Sequence, residues 1–109
     1  MIVEKRTYTL KPSKAGLYKE IYEKYGLEPQ MRILENMFGW FVPEIGELNQ
    51  IVHMWIYKDL GDREKRRAAL YKDDAWLTYL QEQRKHEMIV SQKTQILNPA
   101  PWCPNMELK

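Results

Sequence analysis

The chain has 109 residues, of which 44% are hydrophobic and 12% aromatic, and its 17 basic and 15 acidic side chains leave a net charge of +2. That length suits one domain whose core closes without staples, and so small a net charge argues against nucleic acid or an anionic membrane as the main partner. The lone Cys103 has no partner for an internal disulfide, no apolar run approaches the roughly 20 residues of a membrane span, and the start Met1-Ile2-Val3-Glu4-Lys5-Arg6 lacks signal-peptide order, so a cytoplasmic setting is expected.

Residues 2–10 are rich in β-branched and aromatic types and predict a first strand, stopped by Lys11-Pro12-Ser13. Glu4, Arg6 and Tyr8 share one face of it; Val3, Lys5, Thr7 and Thr9 share the other. If the first of these faces is buried, Glu4 and Arg6 need partners, either each other or groups across a dimer. Ser13 is expected to cap a helix in which Leu17, Ile21 and Tyr25 recur every four residues, with Tyr18 and Tyr22 alongside and Gly26 at its end. Pro29 suits the first turn of a short second helical segment, residues 29–35, carrying Met31 and Leu34.

Residues 37–42 predict a second strand and residues 49–57 a third, joined across Pro43-Glu44-Ile45-Gly46-Glu47 as an antiparallel hairpin. The third strand is apolar on both faces: Val52, Met54 and Ile56 alternate with Ile51, His53, Trp55 and Tyr57. Helices can cover one face, so the other needs a partner subunit or a ligand.

Asp62 is expected to cap a helix running to Leu70, and Asp73 or Asp74 a further one that packs chiefly through Trp76 and Leu80. Residues 88–97 predict the fourth strand, stopped by Asn98-Pro99. From about residue 98 an extended tail follows, with Trp102 placed to pin it to a surface. The whole of 1–109 reads as one domain.

The order β-α-β-β-α-β is that of a ferredoxin-like α+β sandwich with strands one and three at the sheet centre and helices on one face. Its uncovered face predicts a homodimer, since large apolar patches are uncommon on monomers.

Particular residues carry a family resemblance over about 2–102. They are Glu4-Lys5-Arg6-Thr7-Tyr8-Thr9-Leu10-Lys11-Pro12, Glu44-Ile45-Gly46-Glu47-Leu48-Asn49-Gln50 and His53-Met54-Trp55-Ile56-Tyr57, followed by Asp62-Arg63, Arg66-Arg67-Ala68-Ala69-Leu70, Trp76 and Leu97-Asn98-Pro99-Ala100-Pro101. In order and spacing the chain resembles the NIPSNAP family. The resemblance implies a ferredoxin-like monomer and a dimeric α+β barrel, without naming a reaction. The chain departs from the family pattern at Lys5, where an apolar residue is usual, and at Ser13, where glycine is common.

His53 is the candidate acid or base, an imidazole on a central strand that titrates near neutrality; its alternative is a core histidine held by hydrogen bonds. Arg6, oriented by Glu4, is a candidate clamp for a substrate carboxylate, or else half of an interface ion pair. Tyr8, Trp40, Trp55 and Tyr57 either wall an aromatic pocket or fill the core. The basic run 63–67 reads as a solvated helix face, with Asp62 and Arg66 at ion-pair spacing. His53, His86 and Cys103 lie on different elements, no glycine-rich phosphate loop occurs, and no metal, nucleotide or other cofactor is expected. The function expected is binding of an apolar or aromatic small molecule; if the chain is an enzyme, relatives of the resembled fold imply cofactor-free oxygenation or isomerisation as the chemistry, and the alternative is a non-catalytic protein-interaction module.

Overall fold

The computed structural model describes residues 1–109. In chain order it contains β1 (Ile2–Leu10), α1 (Ala15–Ile21), a π-helical turn (Tyr22–Gly26), α2 (Leu27–Leu34), β2 (Met37–Phe41), β3 (Gln50–Tyr57), α3 (Leu60–Leu70), α4 (Asp74–Arg84) and β4 (Ile89–Leu97). The strands form one sheet in the order β2-β3-β1-β4, antiparallel throughout. This is the ferredoxin-like α+β arrangement, with β1 and β3 at its centre.

Register decides which residues share a face. Arg6 of β1 lies opposite His53 of β3, which in turn lies opposite Trp40 of β2, so these three side chains project together. They project toward the helices, with Ile2, Glu4, Tyr8 and Leu10 of β1 and Ile51, Trp55 and Tyr57 of β3 on the same face. There Ile51, Trp55, Tyr57 and Leu10 pack against Tyr18, Leu34, Leu70 and Tyr79 from the helical layer. Full burial of a leucine such as Leu34 or Leu70 contributes roughly 2 kcal/mol.

The opposite face carries Val3, Lys5, Thr7, Val52, Met54, Ile56 and Phe41. The C-terminal tail crosses part of it: the Lys109 backbone N–H donates to Asn36 Oδ1 at 2.8 Å, and Leu108 shares a groove with Phe38 and Ile56. Ile56 and Val3 are buried, while Val52 and Met54 stay half-buried and Phe41 is exposed. The departure at Lys5 therefore falls on the face away from the helices.

Several local expectations are corrected. Ser13 is not a cap, because its φ of +70° puts it in the left-handed region and Lys14 occupies the N-cap position without a side-chain bond. That conformation explains why glycine suits the position. Gly26 does not end the helix; the chain passes through the π turn straight into α2. An added Cβ at Gly26 would lie 2.8 Å from the Tyr79 ring, so the glycine is needed for close approach of α4. Asp59, not Asp62, caps α3 by accepting from the Asp62 N–H at 2.8 Å, whereas Asp73 caps α4 as expected. Helix α4 buries Trp76 as expected, together with Tyr79 and Gln83, while Leu80 packs half-buried against the core; Trp102 is 83% exposed, so Leu108 and Lys109 hold the tail instead.

Candidate functional site

Between the sheet and the helices opens a cleft of about 710 Å³. Its sheet side is Arg6, Tyr8, Trp40 and His53, and its helical side includes Tyr18, Tyr22, Trp76 and Tyr79. Lys11, Arg84 and Glu87 border it, with Gln30, Gln83 and Gln92 as neutral polar neighbours. The π turn places Tyr22 here, where its ring stacks on Trp40 with centroids 4.9 Å apart and its hydroxyl donates to buried Gln30 Oε1. Tyr79 donates to the Tyr18 hydroxyl at 3.1 Å, which ties α4 to α1.

His53 sits at the floor of the cleft, 4% exposed. Its ring lies edge-on to Tyr8 at 5.2 Å and stacks on Trp40 at 6.2 Å. Trp55 Nε1–H donates to His53 Nδ1 at 2.8 Å. An indole nitrogen only donates, so Nδ1 must be the unprotonated nitrogen and Nε2 carries the hydrogen. Burial, followed by the positive charge of Arg6, pushes the imidazole pKa down to about 3. His53 is therefore neutral at pH 7, with one nitrogen engaged and an Nε2–H left to give.

Beneath the cleft lies a charge cluster. Glu4, wholly buried, accepts at Oε2 from Arg6 Nη1 at 3.2 Å and from Arg63 Nη2 at 2.7 Å. Burial raises the carboxyl's pKa, but the Arg63 hydrogen bond and the charges of Arg6, Arg67 and Arg63 more than reverse this and hold it below the ordinary range. Arg6 Nε also donates to the Tyr8 hydroxyl at 2.9 Å. One carboxylate thus serves two guanidiniums. The indole N–H groups of Trp40 and Trp76 are buried without partners, as are Glu4 Oε1, Arg63 Nε and the Tyr57 hydroxyl.

Of the residues singled out in the sequence, Arg6, Tyr8, Trp40 and His53 meet at the cleft. Trp55 and Tyr57 do not border it: both are 0% exposed, Trp55 orienting His53 from behind and Tyr57 lying in the core. Burial, then the charge of Glu4, lifts the Tyr57 hydroxyl pKa to about 12. Sequence reasoning missed Tyr18, Tyr22, Trp76 and Tyr79 as cleft residues, although the four-residue spacing of Tyr18 and Tyr22 was visible. It also missed Arg63 as the cross-element partner of Glu4. Two more arginines of the basic run are engaged: Arg66 pairs with Asp62 at 2.9 Å and with Glu35 at 3.5 Å, and Arg67 lies over the Tyr71 ring at 5.6 Å. No three of the histidine, cysteine, aspartate and glutamate side chains come together as metal ligands. No helix is long and apolar enough to cross a membrane.

The family model NIPSNAP matches residues 3–104. Human "Protein NipSnap homolog 3A" is 34% identical over 103 residues, covering 92% of this chain; the chain spans 40% of that relative's length. The crystal structure of protein Atu4242 from Agrobacterium tumefaciens superposes with a TM-score of 0.90 at 38% identity, covering 95% of this chain and 98% of that one. A putative antibiotic biosynthesis monooxygenase from Nitrosomonas europaea, at 19% identity and a TM-score of 0.64 over 91% of this chain and 98% of its own, shares the fold. With the family model spanning nearly all of it, this chain belongs to the NIPSNAP family.

Proposed function

We propose that the chain binds an apolar, aromatic small molecule in the cleft between sheet and helices, as a homodimer whose sheets meet over their open faces. The observation that carries the binding reading is the cleft itself: its volume of about 710 Å³ falls within the range of small-molecule sites, and its walls combine aromatic rings with several polar and charged side chains. Unpartnered indole N–H groups on Trp40 and Trp76 support it, because buried donors without partners are rare in a finished core. Within this reading a substrate would undergo cofactor-free oxygenation or isomerisation beside Tyr8 and His53, with His53 donating a hydrogen bond to the reacting molecule. Half-buried Val52 and Met54 beside exposed Phe41 support a second copy on the open face, beyond the end the tail covers.

A different observation favours a protein-interaction module: Trp102 and Ile45, 83% and 91% exposed, stand on the tail and the β2–β3 connection, away from the cleft.

The neutral fluorescent probe N-phenyl-1-naphthylamine tests the cleft. Saturable binding at one site per chain, weakened about tenfold by Trp40→Ala with unchanged circular dichroism, is expected. Absence of saturable binding to the folded wild-type chain overturns the reading. Sedimentation at micromolar concentration should give twice the chain mass; a monomer there removes the dimer.

A further inference from the structure

Resting on that reading, the geometry points to a carboxylate on the bound molecule, received by Tyr8 O–H, His53 Nε2–H and the free edge of Arg6 with its aromatic body against Trp40 and Tyr22. Tyr8 accepts from Arg6 Nε at 2.9 Å, so the hydroxyl oxygen is occupied on that side and its own hydrogen is directed elsewhere. His53 accepts at Nδ1 from Trp55, so its hydrogen is on Nε2. Arg6 gives Nε to Tyr8 and Nη1 to Glu4, which leaves Nη2 without a protein acceptor. Three uncommitted donors therefore sit on neighbouring positions of β1 and β3, on residues that all line the cleft.

Few charged acceptors border the cleft beside these donors. Glu4 is occupied by Arg6 and Arg63 and does not border the cleft; Gln30 Oε1 takes the Tyr22 hydroxyl; the Tyr18 hydroxyl takes Tyr79. Gln83 and Gln92 are neutral, and the one lining carboxylate, Glu87, is exposed beside Arg84. A ligand anion is thus matched by three donors, whereas the acceptors left bordering the cleft are the neutral amide oxygens of Gln83 and Gln92 and the exposed carboxylate of Glu87.

Charge agrees with hydrogen bonding. Arg6 and Arg63 share the single carboxylate of Glu4, so the buried cluster retains a positive excess behind Tyr8. A carboxylate has two oxygens and about four lone-pair sites, enough to take all three donors at once. Polarisation by Arg6 makes the Tyr8 hydroxyl a stronger donor than an isolated phenol. In this arrangement His53 supplies a fixed hydrogen bond and Arg6 supports its neighbour as much as it touches the ligand.

The test compares 2-naphthoate with 2-naphthamide, which share a ring system and differ in the charged group, by tryptophan fluorescence titration at pH 7. We expect the acid to bind about tenfold more tightly than the amide, and Tyr8→Phe to remove most of that preference by weakening the acid far more than the amide. Raising the salt concentration should barely alter the preference, because a buried contact is weakly screened. Equal binding of acid and amide overturns the carboxylate assignment and leaves the cleft reading standing. If neither probe binds, nor N-phenyl-1-naphthylamine, the cleft reading itself has failed. A preference that survives Tyr8→Phe but disappears in Lys11→Gln/Arg84→Gln or in high salt overturns the assignment by placing the anion at the exposed rim. Should Tyr8→Phe fail to fold, His53→Asn replaces it: its side-chain oxygen can accept from Trp55 while the Nε2–H donor is lost, and an undiminished preference there overturns the proposal.

Discussion

Buried and neutral, His53 should make the fold acid-labile well above the range in which carboxylates titrate. Its pKa falls from an ordinary 6.5 to about 3 in the folded chain. Between those values the unfolded chain takes up a proton that the folded chain refuses, so the contribution is fully present above about pH 6.5 and declines as pH falls toward the folded value. Each pH unit in the steep part of this window removes about 1.4 kcal/mol. Going from pH 7.5 to 5.5, which crosses only the upper end of the window, the loss is about 1.4 kcal/mol. Carboxylates such as Glu4 remain ionised in both states over that interval, and His86, exposed in the turn after α4, is common to both proteins to be compared. Urea denaturation at the two pH values, on the wild type and on His53→Asn, isolates the effect. The variant loses a constant amount from imperfect packing, but its stability should be nearly flat across the interval while the wild type falls. Parallel curves would refute the argument, because they would mean that His53 takes up its proton as readily folded as unfolded.

Two further outcomes follow from the same structure. Glu4→Gln leaves Arg6 and Arg63 facing each other without a carboxylate, and a broken buried pair costs roughly 3 kcal/mol, measurable by urea denaturation; a loss below about 1 kcal/mol would show that solvent already neutralises the cluster. Ser13→Gly relieves a left-handed φ of +70° while keeping the backbone N–H that donates to Asn49 Oδ1 at 3.3 Å, and should stabilise by roughly 1 kcal/mol in thermal unfolding; no gain would show that the β1–α1 turn is unstrained.

Much of the fold was legible in the residues. β-branched runs and their stops placed β1 at 2–10 and β3, β2 and β4 within a residue of their ends, because strand boundaries here coincide with proline, glycine and asparagine. Helix termini were less legible. Asp59 and Asp62 are equally good caps by type, and only the backbone geometry of the Lys58–Asp62 turn gives the cap to Asp59. The π turn had no sequence signature, since Gly26 and Pro29 read as a break when tertiary packing against Tyr79 carries the helix through.

Pattern and composition by themselves determined an α+β chain with two central strands, one of them apolar on both faces, and they gathered Arg6, Tyr8, Trp40 and His53 as residues of interest. Tertiary structure decided which face of β1 goes under the helices. Period-two alternation assigns residues to opposite faces without saying which is inside, and a charged face such as that of Glu4 and Arg6 looks external until Arg63 arrives from α3, 59 positions away, as a second hydrogen-bond partner for Glu4. The same step turned His53 from a titrating imidazole into a neutral donor, because its protonation state depends on Trp55 behind it and on burial beneath α1 and α4, neither of which is a property of its neighbours in the chain.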